Sequence, residues 1–349
     1  MDTLLTTTSS TNDTSIPIVD FRGFNNPGPT REKIVADLMD AVTSVGFFYL
    51  DNAIDIDLVN RMFDLSAKYF ALPKEEKRKI PHLVDTNAGY VDVGVENLNF
   101  KQKALDYKEA FDVRKANGLY GDEDRLPTVL RDEKDFFIEF QKACLNLISQ
   151  LLRAFAIGLQ IPTSEGGEDY FVNRHRFDGD SGDNFRLLHY PPLPDNDGGE
   201  WTRAGGHSDY GTITLLFQTD VGGLEALIQQ PGDTQSAFIP VPPRPGSVVI
   251  NTGDLLQFWT RGLITSAVHR VVIPKGEGAK KSRYSIAYFC HPDNEVTLDP
   301  IPSPLCKDLP DFKDKATDTL AYVGVETFMT DKSITALDYL QLRLKASYL

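Results

Sequence analysis

The chain has 349 residues, of which 41% are hydrophobic, enough for a sizeable core in one large domain or in two or three small ones. Its formal net charge of −14, from 36 basic and 50 acidic residues, argues against nucleic acid as a partner, because phosphate backbones repel such a chain. Three scattered cysteines without paired spacing argue against a disulfide framework and favour a reducing compartment.

The chain starts with a polar stretch rich in Thr and Ser, and we expect residues 1–14 to be mobile. This stretch lacks the basic start and apolar segment of a secretory signal. No apolar run approaches the roughly 18 residues that a membrane span needs. The sequence therefore predicts a cytoplasmic protein that has no membrane partner, and nothing in it indicates an obligatory protein partner.

The region 15–165 is predicted to be mainly helical. Three of its segments repeat apolar residues at helical spacing: 31–46, 55–73 and 130–159. Two short apolar runs predict strands, at 15–21 and 47–52.

The pattern changes after about residue 170. Short apolar runs separated by Gly, Pro and Asp predict strands at 185–190, 213–218, 224–229, 247–250, 255–258, 268–273 and 283–290. Such strands are typical of a sandwich or a closed double-sheet barrel. We predict one domain over 15–349, mainly β with flanking α. Its parts are the helical region 15–165, a β-barrel core at 170–300 and a C-terminal helical cap at 301–349.

A histidine and an aspartate stand two positions apart in "GGHSDYGTITLLFQ". Residues i and i+2 of an extended segment share a face, so His207 and Asp209 should project together. An imidazole and a carboxylate suit a divalent metal such as Fe(II). His269, in a later strand-like run, could complete a set of two histidines and one carboxylate. Taken alone, such a pair more often belongs to an ordinary strand edge, and together with His269 the structural and metal-binding interpretations are about equally supported.

A second pair of polar residues follows in the predicted strand 283–290. Arg283 and Ser285 also stand at i and i+2, so both should face the interior. A guanidinium fork with a neighbouring hydroxyl is a good receptor for a carboxylate. The alternative is an arginine at the mouth of a strand that reaches water or pairs with an acid. The order of the three motifs is more specific than any one of them.

The chain resembles the non-haem Fe(II)/2-oxoglutarate-dependent dioxygenases of the isopenicillin-N-synthase-like family over nearly its whole length. Segments that carry the resemblance include "DLSAKYFALPKEEK", "HYPPLP", "GGHSDYGTITLLFQTDVGGLEAL", "VVINTGDLLQFWTRGLITSAVHRVV" and "RYSIAYFCHP". The resemblance implies a double-stranded β-helix, that is, a jelly-roll barrel with helices packed outside it.

The resemblance also implies roles for the site residues. Those implied to bind Fe(II) are His207, Asp209 and His269. Those implied to bind the distal carboxylate of 2-oxoglutarate are Arg283 and Ser285, with a hydrogen bond from Tyr190. Many plant members have asparagine two positions before that tyrosine, where this chain has Leu188.

The implied reaction uses O2 and 2-oxoglutarate as co-substrates and releases succinate and CO2, and ascorbate could stimulate it. A C–H bond of a small organic substrate, by default a secondary metabolite, would be hydroxylated, desaturated or rearranged. Trp201, Arg203 and His189 are candidates for substrate contact. The alternatives are a surface loop for the first two and a structural role at a strand edge for His189.

Two other functions stay open at this point. One is an iron-dependent oxidase of the same family that uses Arg283 and Ser285 for its substrate's own carboxylate and consumes no 2-oxoglutarate. The other is a ligand-binding barrel that has lost catalysis. Release of succinate during turnover separates the dioxygenase from the oxidase.

Overall fold

The computed structural model describes residues 16–98, 105–115, 123–193, 201–229, 235–274, 276–310 and 334–348. The mobile N-terminus predicted at 1–14 lies outside these ranges, and so does much of the predicted C-terminal cap. The three cysteines are free and buried, as their spacing predicts.

Seven α-helices lie within the described ranges: α1 (Pro29–Ser44), α2 (Ile56–Phe70), α3 (Lys74–Lys77), α4 (Thr128–Arg131), α5 (Lys134–Gly158), α6 (Asp254–Trp259) and α7 (Ala336–Tyr348). The helices predicted at 31–46 and 55–73 are confirmed, whereas the one predicted at 130–159 is divided into α4 and α5. Helix α2 begins where the side chain of Asp55 accepts a hydrogen bond from the backbone N–H of Asp57, a typical N-cap.

The described ranges contain fourteen strands: β1 (Ile18–Asp20), β2 (Phe47–Asp51), β3 (Gly89–Val91), β4 (Leu105–Asp106), β5 (Glu109–Arg114), β6 (Asn184–Tyr190), β7 (Trp201–Thr202), β8 (Ala204–His207), β9 (Ile213–Gln218), β10 (Leu224–Gln229), β11 (Ser236–Pro240), β12 (Ser247–Thr252), β13 (His269–Val271) and β14 (Arg283–Cys290). All the predicted strands except 255–258 are found, most with shifted ends.

Two sheets form the barrel. The large sheet has the order β1-β2-β12-β9-β14-β6-β5-β3, and the small sheet has the order β11-β10-β13-β8; β4 and β7 pair separately. Apolar side chains of both sheets meet in one core cluster, including Leu188 and Ala287 from the large sheet and Leu224 and Val271 from the small one. Helices pack on the other face of the large sheet. This arrangement confirms the predicted jelly-roll with outer helices.

Strand alternation decides which side chains of the large sheet face the barrel. In β6, Phe185 and Leu187 join the core beneath the helices, whereas Leu188 and Tyr190 join the core between the sheets. The period of two that places them is a property of any extended strand. The same alternation in β14 turns the side chain of Arg283 inward.

The predicted strand 255–258 is wrong, because these residues belong to helix α6. All six residues of α6 are buried, so the segment shows no amphipathic period, and a short apolar run fits a buried strand or a buried helix equally well. The helix follows Gly253, where a side chain would clash with the carbonyl oxygen of Gly211. This close approach lets the N–H of Asp254 bond to the carbonyl oxygen of Asp209 at 2.9 Å.

The region predicted to be mainly helical also supplies half of the large sheet. Strands β1, β2, β3 and β5 precede residue 115, yet they belong to the same sheet as the predicted barrel core, because β2 pairs with β12 and β5 pairs with β6. Both regions therefore fold together around one barrel. The division into 15–165, 170–300 and 301–349 stays a prediction.

Candidate active site

Two histidines face each other across the small sheet. His207 ends β8, His269 begins β13, and the two are directly paired in the register, with ring centroids 4.4 Å apart. Asp209 lies two residues beyond β8, and its Oδ1 is 3.9 Å from Nε2 of His207 and 3.6 Å from Nε2 of His269. The three ligand atoms all lie within 4.8 Å of one another.

Backbone carbonyl groups hold both imidazoles in the orientation that a metal needs. Nδ1 of His207 is 2.8 Å from the carbonyl oxygen of Gly205, and Nδ1 of His269 is 3.1 Å from that of Ala267. A carbonyl oxygen only accepts, so each Nδ1 carries the proton and donates it. The lone pairs of the two Nε2 atoms are then free to bind a metal.

The large sheet orients the carboxylate of Asp209. Its Oδ2 accepts hydrogen bonds from Oγ1 of Thr214 and Nδ2 of Asn251, each at 2.6 Å. Thr214 and Asn251 are paired residues of β9 and β12, and their side chains reach across from the large sheet. These bonds occupy Oδ2 and leave Oδ1 for a ligand.

The protonation states match this geometry. Burial lowers the pKa of His207 to about 3, so its imidazole is neutral at physiological pH. Burial alone would raise the pKa of Asp209, but the two imidazoles and the two hydrogen bonds outweigh it and the pKa is lowered. Two imidazoles and one carboxylate on one side of a centre fit Fe(II) and leave positions free for other ligands.

Arg283 and Ser285 lie on β14 of the large sheet, on the face that lines the same cavity as the two histidines. Arg283 is 1% exposed, and its guanidinium donates to Oγ of Ser285 at 3.2 Å and to Oε1 of Gln218 at 2.9 Å. Tyr190 is its direct partner in β6, and the Cζ of Arg283 is 4.7 Å from the centre of the tyrosine ring. No carboxylate of the described residues pairs with Arg283, so the guanidinium is available for an anion.

One cavity joins this arginine to the histidines. We call it the co-substrate chamber; it contains about 530 Å³ of empty space, and its walls include Arg283, Ser285, Tyr190 and all three candidate metal ligands. The structure therefore brings together six residues that the sequence predicted for the site. The chemistry of these residues suits a small carboxylate compound.

A second cavity lies on the other side of His207 and Asp209. We call it the substrate chamber; it contains about 520 Å³ of empty space. Five residues line both chambers: Leu98, Arg186, His207, Asp209 and Phe289. The remaining walls of the substrate chamber come from the segments before β3 and before β4, from β5 and β6, from the residues that follow β8 and β14, and from helix α7.

Buried charges line the polar end of the substrate chamber. Arg186 pairs with its cross-strand neighbour Asp112 at 2.9 Å and with Glu96 at 3.1 Å. Lys108, which lines the co-substrate chamber rather than this one, pairs with Glu96 at 2.9 Å and with Asp106 at 2.6 Å. Three acids thus surround two bases in this network, and Nε2 of His82 lies 3.7 Å from Oδ2 of Asp112.

Hydrogen-bond acceptors remain free at that end. Nδ2 of Asn184 donates to the carbonyl oxygen of Asn87 at 2.6 Å, which fixes the amide and leaves its Oδ1 without a partner among the described residues. Nδ1 of the buried His291 likewise has no partner there. Oδ1 of Asn184 is therefore an acceptor that the chamber presents to whatever occupies it, whereas burial raises the pKa of Asp112 and so favours its protonated form.

Three predicted substrate residues lie elsewhere or cannot be placed. His189 points away from the barrel, where its Nδ1 is 2.8 Å from Glu109 and its ring stacks on Tyr284. Arg203 is fully buried beside Tyr190, near the co-substrate chamber rather than the substrate chamber. The side chain of Trp201 lies outside the described part of the chain.

The sequence reasoning missed most of the substrate chamber. Asn184 and Arg186 precede Tyr190 at even spacing, and Phe289 follows Arg283 at even spacing, so strand alternation was a usable signal for these three. No comparable signal marked Glu96, which lies in a loop and reaches the chamber only through the tertiary fold.

Two family models match the chain. The model of the 2OG-Fe(II) oxygenase superfamily matches residues 169–292, and that of the non-haem dioxygenase N-terminal region in morphine synthesis matches residues 16–131. The chain is 33% identical to the 2-oxoglutarate-dependent dioxygenase htyE of Aspergillus rugulosus, over 96% of this chain and 99% of that protein. The chain belongs to the 2OG-Fe(II) oxygenase superfamily.

Further 2OG-Fe(II) oxygenases share its sequence or structure. The proline hydroxylase buaE of Petromyces alliaceus is 36% identical over 80% of this chain and 88% of its own length. The crystal structure of Neurospora crassa T7H in complex with alpha-KG has a TM-score of 0.74 and 30% identity, and covers 95% of this chain and 96% of that one. Another structure of T7H holds alpha-KG and thymine.

Membership of the 2OG-Fe(II) oxygenase superfamily confirms the predicted enzyme class, with Fe(II) and 2-oxoglutarate as cofactor and co-substrate. The enzyme is thus an oxidoreductase that oxidises a small molecule. Among the described residues, no helix is both long enough and apolar enough to cross a bilayer. The stimulation by ascorbate, the cytoplasmic location and the absence of nucleic-acid and protein partners stay predictions.

Proposed function

We propose that His207, Asp209 and His269 hold Fe(II), and that 2-oxoglutarate occupies the co-substrate chamber with its distal carboxylate on Arg283 and Ser285. The substrate then enters the substrate chamber from the opposite side. The observation that carries this proposal is the meeting of the two chambers at His207 and Asp209, where ligand atoms of three residues converge.

Bound Fe(II) supplies the redox chemistry by which O2 and 2-oxoglutarate yield succinate, CO2 and an oxidised C–H bond. The chain supplies position and exclusion of water. The fork of Arg283 fixes the far end of the co-substrate, since a guanidinium binds a carboxylate with defined geometry. Leu98 and Phe289 provide apolar walls where the two chambers meet.

We infer that the substrate carries N–H donors. The polar end of its chamber has a free amide oxygen on Asn184, and a buried acceptor is stabilised when a donor satisfies it. A relative is named a proline hydroxylase, and T7H binds thymine; both compounds are small and carry N–H groups. Amino acids and N–H-bearing heterocycles are therefore the substrate classes that we propose.

An anaerobic titration tests the metal assignment. Addition of Fe(II) and 2-oxoglutarate to the wild-type protein should give the weak visible charge-transfer band of their chelate, and Asp209→Ala should abolish it. Asp220→Ala, the same substitution at an exposed acid, is the matched control and should keep the band. A normal band and normal 2-oxoglutarate consumption by Asp209→Ala would exclude this ligand set.

A screen for succinate release tests the substrate class. Compounds such as L-proline and thymine should stimulate consumption of 2-oxoglutarate more than analogues of equal size without N–H groups. Asn184→Leu should weaken that stimulation while 2-oxoglutarate still binds. Oxidation of a substrate without succinate would instead support the 2-oxoglutarate-independent oxidase.

A further inference from the structure

Arg203 is a buried arginine without a counter-ion. Its side chain is 0% exposed, and Nε, Nη1 and Nη2 have no hydrogen-bond partner among the described residues. Two other buried arginines show what is usual in this fold, since Arg186 pairs with Glu96 and Asp112 and Arg343 pairs with Asp254. An uncompensated buried charge destabilises a folded protein, so its presence requires an explanation.

The surroundings of Arg203 point to the co-substrate chamber. The ring of Tyr190 lies 6.0 Å from Cζ of Arg203 and 4.7 Å from Cζ of Arg283. Burial and mutual repulsion lower the pKa of Arg203, and burial lowers that of Arg283. Neither arginine forms an ion pair within the described ranges, so two positive charges lie at this end of the barrel without a protein anion.

Arg203 does not belong to the described residues that line the chamber. Its charge therefore lies outside the chamber wall, and both guanidinium groups lie near the ring of Tyr190, which is part of that wall. Electrostatic interactions act over such distances when water is absent, because the effective dielectric constant is low. An anion that enters the chamber gains from both charges, although it touches only Arg283.

We propose that Arg203 is a positioning residue for the distal carboxylate of 2-oxoglutarate. The guanidinium of Arg203 is a second uncompensated positive charge, which the dianionic co-substrate neutralises when it binds. This inference rests on the proposed function, because it takes the anion to be the carboxylate bound by Arg283. The uncompensated charge of Arg203 lowers the stability of the ligand-free protein. Its compensation by 2-oxoglutarate raises the affinity for the co-substrate.

The test measures binding of 2-oxoglutarate without turnover. Wild type, Arg203→Met and Arg203→Lys are loaded with Mn(II) under anaerobic conditions and titrated with 2-oxoglutarate by calorimetry. Methionine should raise the Kd at least about tenfold, as expected for a unit charge at an effective dielectric constant of about 20. Lysine keeps the charge and should restore most of the affinity. An unchanged Kd in Arg203→Met, or a loss that lysine does not restore, overturns the proposal.

Thermal unfolding of the ligand-free proteins distinguishes two roles of Arg203: an uncompensated charge that destabilises the fold, and a contact that stabilises it. Arg203→Met should unfold at the same temperature as wild type or higher, because it removes an uncompensated charge. Arg343→Met removes a paired arginine of equal burial and should unfold at a lower temperature. A drop in Arg203→Met as large as that in Arg343→Met contradicts the first of these roles.

Arg283→Met distinguishes failure of this inference from failure of the proposed function. If the co-substrate site is assigned correctly, this variant loses measurable binding of 2-oxoglutarate whatever the result for Arg203. If it binds 2-oxoglutarate as wild type does, the co-substrate site itself is wrong and the inference fails with it.

Discussion

Asp209 shows how single residues prepare the proposed iron site. Its Oδ2 is held by Thr214 and Asn251, and its backbone oxygen by the N–H of Asp254. Partners behind a ligand orient it and adjust its basicity, so their loss weakens metal binding while the ligand itself remains.

Asn251→Ala should lower the affinity for Fe(II) by about 10- to 100-fold, because Asp209 loses one of its two side-chain donors. Activity should recover at saturating iron, since the three ligands are intact. Metal affinity is measured by anaerobic titration, with Asn146→Ala on the exposed face of α5 as the control. Wild-type affinity in Asn251→Ala would show that this hydrogen bond does not support the ligand.

His175 makes the fold sensitive to acid. Its Nδ1 is 2.6 Å from the carbonyl oxygen of Phe171, its Nε2 is 2.9 Å from Oγ1 of Thr212, and burial lowers its pKa to about 3. An unfolded histidine takes up a proton below about pH 6.5, whereas the folded one does not until about pH 3. Stability therefore falls as the pH decreases through this window.

His175→Asn should reduce that pH dependence by up to about 1.4 kcal/mol per pH unit, since asparagine can still donate to the Phe171 carbonyl but does not titrate. The free energy of unfolding is measured in denaturant between pH 7 and pH 4. Equal slopes in the two proteins would contradict the assignment of a neutral His175.

Sequence alone predicted the residues whose position follows from strand alternation. Arg283 and Ser285 share a face of β14 because the period of a strand is two, and His207 and Asp209 keep the predicted spacing although Asp209 lies just beyond the end of β8. Glu96 was not predicted, and Arg203 was predicted for substrate contact rather than for the co-substrate end of the barrel, because their roles depend on which charges the fold places beside them. Linear spacing contains no information about such tertiary neighbours.

At the scale of elements, helix α7 packs against residues 207–209, which we call the metal loop. Arg343 bonds to Asp254 at the start of α6 and to the backbone oxygen of Ser208, which lies between His207 and Asp209. Tyr348, at the end of α7, donates to Glu96 at 2.9 Å. One helix thus contacts both the metal loop and the charged network of the substrate chamber.

Arg343→Met should destabilise the protein by about 3–5 kcal/mol, because Asp254 remains buried without its cation. Unfolding in urea measures this loss, and Lys345→Met, at an exposed position of the same helix, is the matched control. A loss no larger than that of the control would show that Asp254 is compensated by Ser266 and Tyr339 alone.

The elements differ in how well sequence predicts them. Helices α1 and α2 have one apolar and one polar face, so their period is visible. Helix α6 is buried all round and was predicted as a strand, since burial on every side removes the contrast on which periodicity depends. Strands β1 and β2 were predicted from their apolar runs, whereas β3, β4 and β5, which also precede residue 115, were not predicted.

At the scale of the whole molecule, the reactivity of the three cysteines can be used to measure global unfolding. Cys144 lies in α5, Cys290 in β14 and Cys306 in the segment after the barrel. All three are buried, and burial raises the pKa of each thiol. Raised pKa and burial both suppress reaction, because the thiolate is the nucleophile.

The native protein should therefore give no rapid reaction with a thiol reagent, and the denatured protein should give three equivalents. Labelling rates across denaturant should follow global unfolding, since the cysteines are distributed over helix, sheet and connecting segment. Rapid labelling of one cysteine in the native protein would reveal local opening at its position.

The wall that the two chambers share has an evolutionary consequence. A change at Leu98, Arg186 or Phe289 alters the surroundings of substrate and co-substrate together. A mutation there that admits a new substrate can therefore also impair the reaction of 2-oxoglutarate. Asn87 and the residues of helix α7 line only the substrate chamber, so changes there leave the surroundings of the co-substrate unaltered. New specificities in this lineage should therefore arise first by mutation of those segments, while the barrel motifs stay fixed.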